Sequence, residues 1–200
     1  VPHDCPIKKL CFSILPAKGS VFFLYQGEDK AFEYFNRGIW LISQIEERDV
    51  LSNAQHFQRI AYKSHRPHCS KFNIAIFLGK LKYPLFFLDF GCFNPAIPPY
   101  AQTMPYEIVP YQYSLRIVRE PDAQPEYFDY LAPGDVDPRP AILMQLQSLL
   151  GEFGSILAYP ALSELNALQR AARVFQQYKP WVISIDKRIV DLSIPFRRFH

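Results

Sequence analysis

The run Pro84-Leu85-Phe86-Phe87-Leu88-Asp89-Phe90 constrains the fold more than any other stretch of the chain. It is apolar throughout except for one acid near its end. That is the pattern of a strand buried at the centre of a sheet, where both faces are covered. A carboxylate in such a strand is costly unless it is paired or holds a cation. Asp89 is therefore either a strand-end cap or salt-bridge partner, or a group placed there for chemistry.

The chain changes character near Tyr83. Upstream the pattern is mainly helical. A strand-like run, Val21 to Tyr25, precedes Glu28–Gly38, where Phe32, Phe35 and Ile39 fall at helical spacing. Ser52-Asn53-Ala54-Gln55 is a capping box that opens a helix to about Tyr62. A further helix is expected over Lys71–Leu81. Downstream of the central run, a Pro-rich loop spans Asn94–Pro105. Ile108–Val118 then reads as a strand, with Tyr111, Tyr113 and Leu115 alternating against Gln112, Ser114 and Arg116. Tyr127–Leu131 reads as a short third strand. Pro138–Phe153 is an amphipathic helix with Ile142, Leu143, Leu146, Leu149 and Leu150 on one stripe. Ser155–Tyr159 is a short strand. Leu162–Phe175 is a helix with Leu162, Leu165, Leu168, Ala172 and Phe175 facing inward, and Ile189–Leu192 is a last short element.

Three strands joined without helices predict an antiparallel meander. The helix–strand–helix continuation predicts parallel strands added to the same sheet. The expected class is α/β, a mixed sheet flanked by helices in the element order of the ribonuclease-H-like fold, preceded by a mainly helical N-terminal segment.

Composition bounds the function. Hydrophobic residues make up 49% of the 200 residues and charged residues 20%, which excludes wholesale disorder. A net charge of +3 is not the footprint of a protein that coats DNA, although it permits a nucleic-acid substrate. There is no apolar run long enough to span a membrane, so no membrane partner is expected. No basic and apolar leader pattern follows Val1, so a cytoplasmic location is expected. Four Cys read as thiols or metal ligands rather than a disulfide framework. The 17 Phe and 12 Tyr serve either core packing or stacking on exposed bases. Val1 in place of Met suggests processing, an alternative start codon or a fragment of a longer chain.

Three acids and two cysteine groups are the candidates for chemistry. Residues i and i+2 of a strand share a face, and metal-dependent nucleases use this by writing Asp-x-Glu so that two carboxylates converge on divalent ions. Here the position two beyond Asp89 is Gly91, which supplies no ligand. Glu164 stands near the start of the Leu162–Phe175 helix, just after a short strand. It either faces a site at the sheet edge or complements the helix dipole. Asp191 ends another apolar run and either points at the same site or caps the next turn. Cys5 and Cys11, preceded by His3, cannot alone complete a zinc or iron–sulfur site, which takes four ligands. His65, His68 and Cys69 could join them, or remain free imidazoles and a thiol. Cys92 has no assigned chemistry. Phosphate-loop, dinucleotide-binding, nucleophile-elbow and His-Glu-x-x-His motifs are absent.

The segment Phe87-Leu88-Asp89-Phe90-Gly91-Cys92-Phe93-Asn94-Pro95-Ala96-Ile97-Pro98 resembles the opening of a bacterial family, domain of unknown function 2779, of the ribonuclease-H-like DEDD exonuclease group. Pro105-Tyr106, Pro110–Leu115, Asp137-Pro138-Arg139, Gly154–Tyr159 and Ile189–Leu192 with Pro195-Phe196 resemble its later blocks. The resemblance runs from about Tyr83 to His200. It implies a three-part chain: 1–20 as the remnant of an upstream cysteine-cluster nuclease region, 21–82 as a helical bridge, and 83–200 as a ribonuclease-H-like domain. It also implies that Cys5 and Cys11 are the last two ligands of a 4Fe–4S cluster whose other cysteines lie upstream.

By the same resemblance the ancestor is a two-metal phosphodiesterase, with Mg²⁺ or Mn²⁺ ions about 4 Å apart. Asp89 would bridge the ions, Glu164 would hold one of them, and Asp191 would belong to the site. The family's motif Glu is Gly91 here, and the last acidic motif would lie beyond His200, so the sheet is expected to be incomplete at its C-terminus. Losing one contact that stabilises the transition state costs on the order of 10²–10³ in rate. The expectation is a truncated, degenerate member with little or no nuclease activity alone. The alternatives are a non-catalytic nucleic-acid-binding module and a structural remnant. Single-stranded nucleic acid and the separately encoded remainder of a parent protein are the partners to expect.

Overall fold

The central run forms the middle of a mixed sheet, in a computed structural model that describes residues 6–198. The chain divides into two compact units. One runs to Asn73 and is rejoined by the chain from Phe196 onward, and the other is Ile74–Pro195.

In the first unit, short helices wrap a small apolar cluster. These are α1 (Lys8–Cys11), α2 (Glu28–Asn36) and α3 (Asn53–Ser64). The cluster is Val21, Leu24, Tyr34, Ile42 and Ile45. The capping box opens α3 as expected: the Gln55 amide donates to Ser52 Oγ at 3.3 Å, and the Ser52 amide donates to Gln55 Oε1 at 3.1 Å. The strand expected over Val21–Tyr25 is instead a 3-10 turn, Val21–Phe23. Its residues favour a strand, but among the described residues the only β pairing beside them is the single bridge Ser20↔Leu41. The Ser20 hydroxyl accepts from the Phe22 amide and tips the chain into a turn. Helix α4 (Lys71–Gly79) then leads on to the sheet.

The second unit carries strands β1 (Leu85–Phe93), β2 (Val109–Val118), β3 (Glu126–Leu131), β4 (Ser155–Ala158) and β5 (Ile189–Asp191) in the order β3-β2-β1-β4-β5. β1, β2 and β3 are antiparallel, and β4 and β5 run parallel to β1. The predicted meander with parallel additions is therefore the observed topology. Helices α5 (Arg139–Leu150), α6 (Ala161–Val174), α7 (Lys179–Asp186) and α8 (Ile194–Arg198) complete the set.

Alternation along β1 decides which side chains meet the helices. Phe86 and Leu88 join Tyr113, Leu115 and Ile117 of β2 and Ile142, Leu143, Leu146 and Leu150 of α5 in the core. Phe87 and Asp89 project from the opposite face and are exposed.

Two expectations are corrected. The inward stripe of α6 is Ala161, Glu164, Ala167, Leu168, Ala171 and Ala172, while Leu162 is 67% exposed. Small residues let α6 lie close to the sheet, so the buried face follows the alanines rather than the leucines. Helix α7 was not expected; Pro180 sits in its first turn, where a missing amide costs nothing.

Candidate functional site

Asp89 and Glu164 are brought together from different elements by one feature of the sheet. β1 pairs with β4 only from Leu85↔Ser155 to Phe87↔Leu157, then runs on alone along that edge. The chain leaves β4 at Ala158 and turns straight into α6, whose first turn carries Glu164 to the vacated edge. There its carboxylate accepts the Phe90 backbone amide, and the Ser163 hydroxyl reaches Glu164 Oε1 at 3.3 Å. Glu164 is 5% exposed. Burial first, and then the charge of Asp89, push its carboxyl up to about 7, against the pull of those two hydrogen bonds.

Cys92 belongs to the same group, which the sequence did not reveal. Part of the residue reaches the surface. Its thiol is nevertheless desolvated enough that this, with the fields of Glu164 and Asp89, pushes it up to about 11. It is a protonated, weakly reactive thiol at neutral pH.

Asp89 opens on a depression of about 300 Å³ on the exposed face of the sheet, lined also by Phe87, Ser114, Arg116, Tyr159 and Leu192. Arg116 donates to Ser114 Oγ at 2.9 Å and to Asp129 Oδ1 at 3.1 Å, and its guanidinium lies 4.6 Å from the Tyr127 ring centroid. The cation thus sits on the strand beside the acid, and the aromatic face on the strand beyond.

Gly91 lies in register with Gln112, and a β-bulge in β2 follows at Tyr111. A Cβ at position 91 would stand 3.0 Å from Gln112 Oε1 and 3.1 Å from both Gln112 Cβ and Tyr111 Cζ. A side chain there would be tight against its neighbours, which must give by a few tenths of an ångström.

Asp191 stands further along the sheet. It lies opposite Ala158 on β5, two strands from β1 and roughly 10 Å across the hydrogen-bonding direction. Its Oδ1 accepts the Ser193 amide at 2.8 Å, so the cap at the next turn is formed. Of the N-terminal candidates, Cys5 and His3 lie outside the described residues. Cys11 and Cys69 are exposed free thiols, and His68 is stacked on Phe57. Among the described residues no group of three His, Cys, Asp or Glu could hold a metal ion. No helix among them is long and apolar enough to cross a membrane.

The motif Asp137-Pro138-Arg139 is structural. Arg139, 2% exposed, bonds Asp137 through Nε and Nη2 and the Ala101 carbonyl through Nη2 at 3.0 Å. It ties the Pro-rich loop to the start of α5.

These features define an α/β domain with a carboxylate pair at the free edge of its central strand. Residues 86–200 match the family model described as domain of unknown function (DUF2779), and the chain belongs to that family. Comparison with curated proteins and with solved structures returned no match.

Proposed function

We propose that the DUF2779 region is a degenerate metal-dependent nucleic-acid phosphodiesterase of the ribonuclease-H-like exonuclease type, with little or no activity of its own. The observation that carries this reading is the pairing of Asp89, on the central strand of a β3-β2-β1-β4-β5 sheet, with Glu164, in the first turn of the helix after β4. That is where a two-metal phosphodiesterase needs its carboxylates.

The residues present do not fit a two-metal centre. Hard divalent cations want several oxygen ligands and charge neutralisation. Gly91 supplies no oxygen, and Tyr111 and Gln112 pack tightly beside it. Glu164 spends its carboxylate on the Phe90 amide and is held near neutrality by burial. Asp191 caps Ser193. No hydrolytic step is therefore assigned to these groups.

Single-strand binding without cleavage is the second reading. Arg116 over the exposed ring of Tyr127 favours it, as a cation and a stacking surface side by side. Both readings set the protein in the cytoplasm. A 4Fe–4S cluster at Cys5 and Cys11 would need two more thiolates from a parent protein or its separately encoded remainder.

The test is incubation of the purified chain with labelled single-stranded DNA and RNA in Mg²⁺ or Mn²⁺. No products above the buffer control are expected. Metal-dependent degradation that disappears in Asp89→Ala would overturn the inactive reading and establish the active one.

A further inference from the structure

The first unit holds a cavity that the acidic pair does not touch. It measures about 370 Å³ and is lined by Tyr25, Phe57, Gln58, Pro67, His68 and Arg197, among others. That is within the range of small-ligand sites, roughly 300–1,000 Å³, and at the size of a single nucleotide rather than a larger cofactor.

Its walls are fixed. The Phe57 and His68 rings stack with centroids 4.2 Å apart and planes 9° from parallel. Gln58 accepts the Tyr25 amide at 2.8 Å and donates to the Phe23 carbonyl at 2.7 Å, so both ends of its amide are committed. Tyr25 stays 51% exposed at the rim.

The residues lining the cavity include one strong cation, Arg197, and no acid. Between Asp49 and Asp89 the chain contains no acid, while Arg59, Lys63, Arg66, Lys71, Lys80 and Lys82 all fall in that interval. Arg59 is buried and bonded to the Glu46 carbonyl. Lys63, Arg66 and Lys71 are exposed, and with Arg197 they form no salt bridge among the described residues. A second depression, lined by Tyr62, His65, Arg66 and Pro67, shares Pro67 and Ala61 with the first. An apolar, ring-lined cavity with Arg197 in its wall and Arg66 in the adjoining depression is complementary to a flat apolar group flanked by anions.

We propose that this cavity binds an unpaired base of a single-stranded nucleic acid. The base stacks against the Phe57–His68 pair, and the flanking phosphates are met by Arg197 on one side and by Arg66 and Lys63 on the other. Stacking is tolerant of sequence because every base has a π-face, and phosphate contacts make the affinity fall with salt. The inference goes beyond the reading of the DUF2779 region. It stands on the first unit, whose Arg197 comes from the end of the matched residues 86–200, and needs no metal.

The experiment is fluorescence anisotropy of labelled oligothymidylate and oligouridylate of about twelve residues against the full chain, in EDTA, over a salt series. EDTA removes metal-dependent hydrolysis, so failure of the phosphodiesterase reading leaves the outcome untouched, and failure of binding leaves that reading standing. His68→Ala is expected to weaken binding about 10-fold or more, the loss expected of a stacking contact. Arg66→Glu with Arg197→Glu is expected to weaken it further and to flatten the salt dependence by about one phosphate per removed cation. Both cations are on the surface, so this second variant keeps the test open if His68→Ala fails to fold. Preference for uridylate or thymidylate assigns RNA or DNA, and either supports the site. Absence of binding, an equal affinity for an abasic oligomer, unchanged binding in both variants, or displacement by polyglutamate of equal charge would each overturn it.

Discussion

Glu164→Gln isolates the energetics of the carboxylate pair. The Glu164 carboxyl is carried from its usual 4.5 to about 7 by burial and by the charge of Asp89. That displacement corresponds to roughly 3 kcal/mol between the protonated and ionised forms in the fold. The unfolded chain releases this proton near pH 4.5 and the folded chain near 7. Between those values the folded state binds more protons, so raising the pH favours unfolding. The stability is complete below about pH 4.5 and is lost as the pH rises through about 7. Gln cannot ionise and still offers an oxygen to the Phe90 amide. The difference in stability, variant minus parent, should therefore climb with pH and level off at roughly 3 kcal/mol in favour of Gln. Urea unfolding followed by circular dichroism at about pH 5, 6, 7 and 8 reads it directly, because titrating groups that do not sense Glu164 cancel in the difference. Asp89→Asn should leave the start of the climb near pH 4.5, end it below pH 7 and lower its plateau, since the like charge is gone and only the folded-state value falls. Parallel pH curves for parent and Gln variant would refute the reasoning. So would a Mg²⁺-dependent gain in the parent at pH 8 that the variant lacks, because a fitted cation would hold Glu164 ionised.

Three further outcomes follow from packing. Arg188 donates to the carbonyls of Leu150, Gly151, Phe153 and Gly154 at 2.5–2.9 Å, closing the turn between α5 and β4. Arg188→Ala should cost about 2–4 kcal/mol in urea unfolding, since several half-buried acceptors lose a charged donor together. Gly154 has φ +93° and its Cβ would collide with the Pro84 carbonyl and the Phe86 ring, whereas nothing lies within 4 Å of a Cβ on Gly134. Gly154→Ala should lower the melting temperature sharply and Gly134→Ala should not. Ser52→Ala removes the α3 cap and should destabilise the first unit by about 1 kcal/mol, seen as faster amide exchange in α3.

Much of the architecture could be read from local pattern. The Pro84–Phe90 run became the central strand β1, but only one of its faces is covered: Phe86 and Leu88 are buried, whereas Phe87 and Asp89 are exposed. The capping box over Ser52–Gln55 needs only a four-residue spacing, and it opens α3 as expected. Errors arose where a preference had no partner to satisfy it. Val21–Phe23 has strand-forming residues and no strand beside it. The leucines of α6 suggested a face that the alanines supply.

The acids divide in the same way. Asp89 announced itself within its own strand, because one charge in an apolar run is visible without any knowledge of neighbours. Its relation to Glu164 was not visible from periodicity, for it depends on β4 ending early and freeing the edge of β1. The crowding of Gly91 depends on a bulge in another strand. Cys92 acquires its high pKa from two acids, one of them more than seventy residues away in the chain. By itself, then, the sequence determined the strands, most helices and the residue types available for chemistry, because these follow from side-chain periodicity and backbone preference. Only the tertiary structure decided which of those residues share one low-dielectric space, because pairing lengths, bulges and helix entry points are set by contacts between segments far apart in sequence.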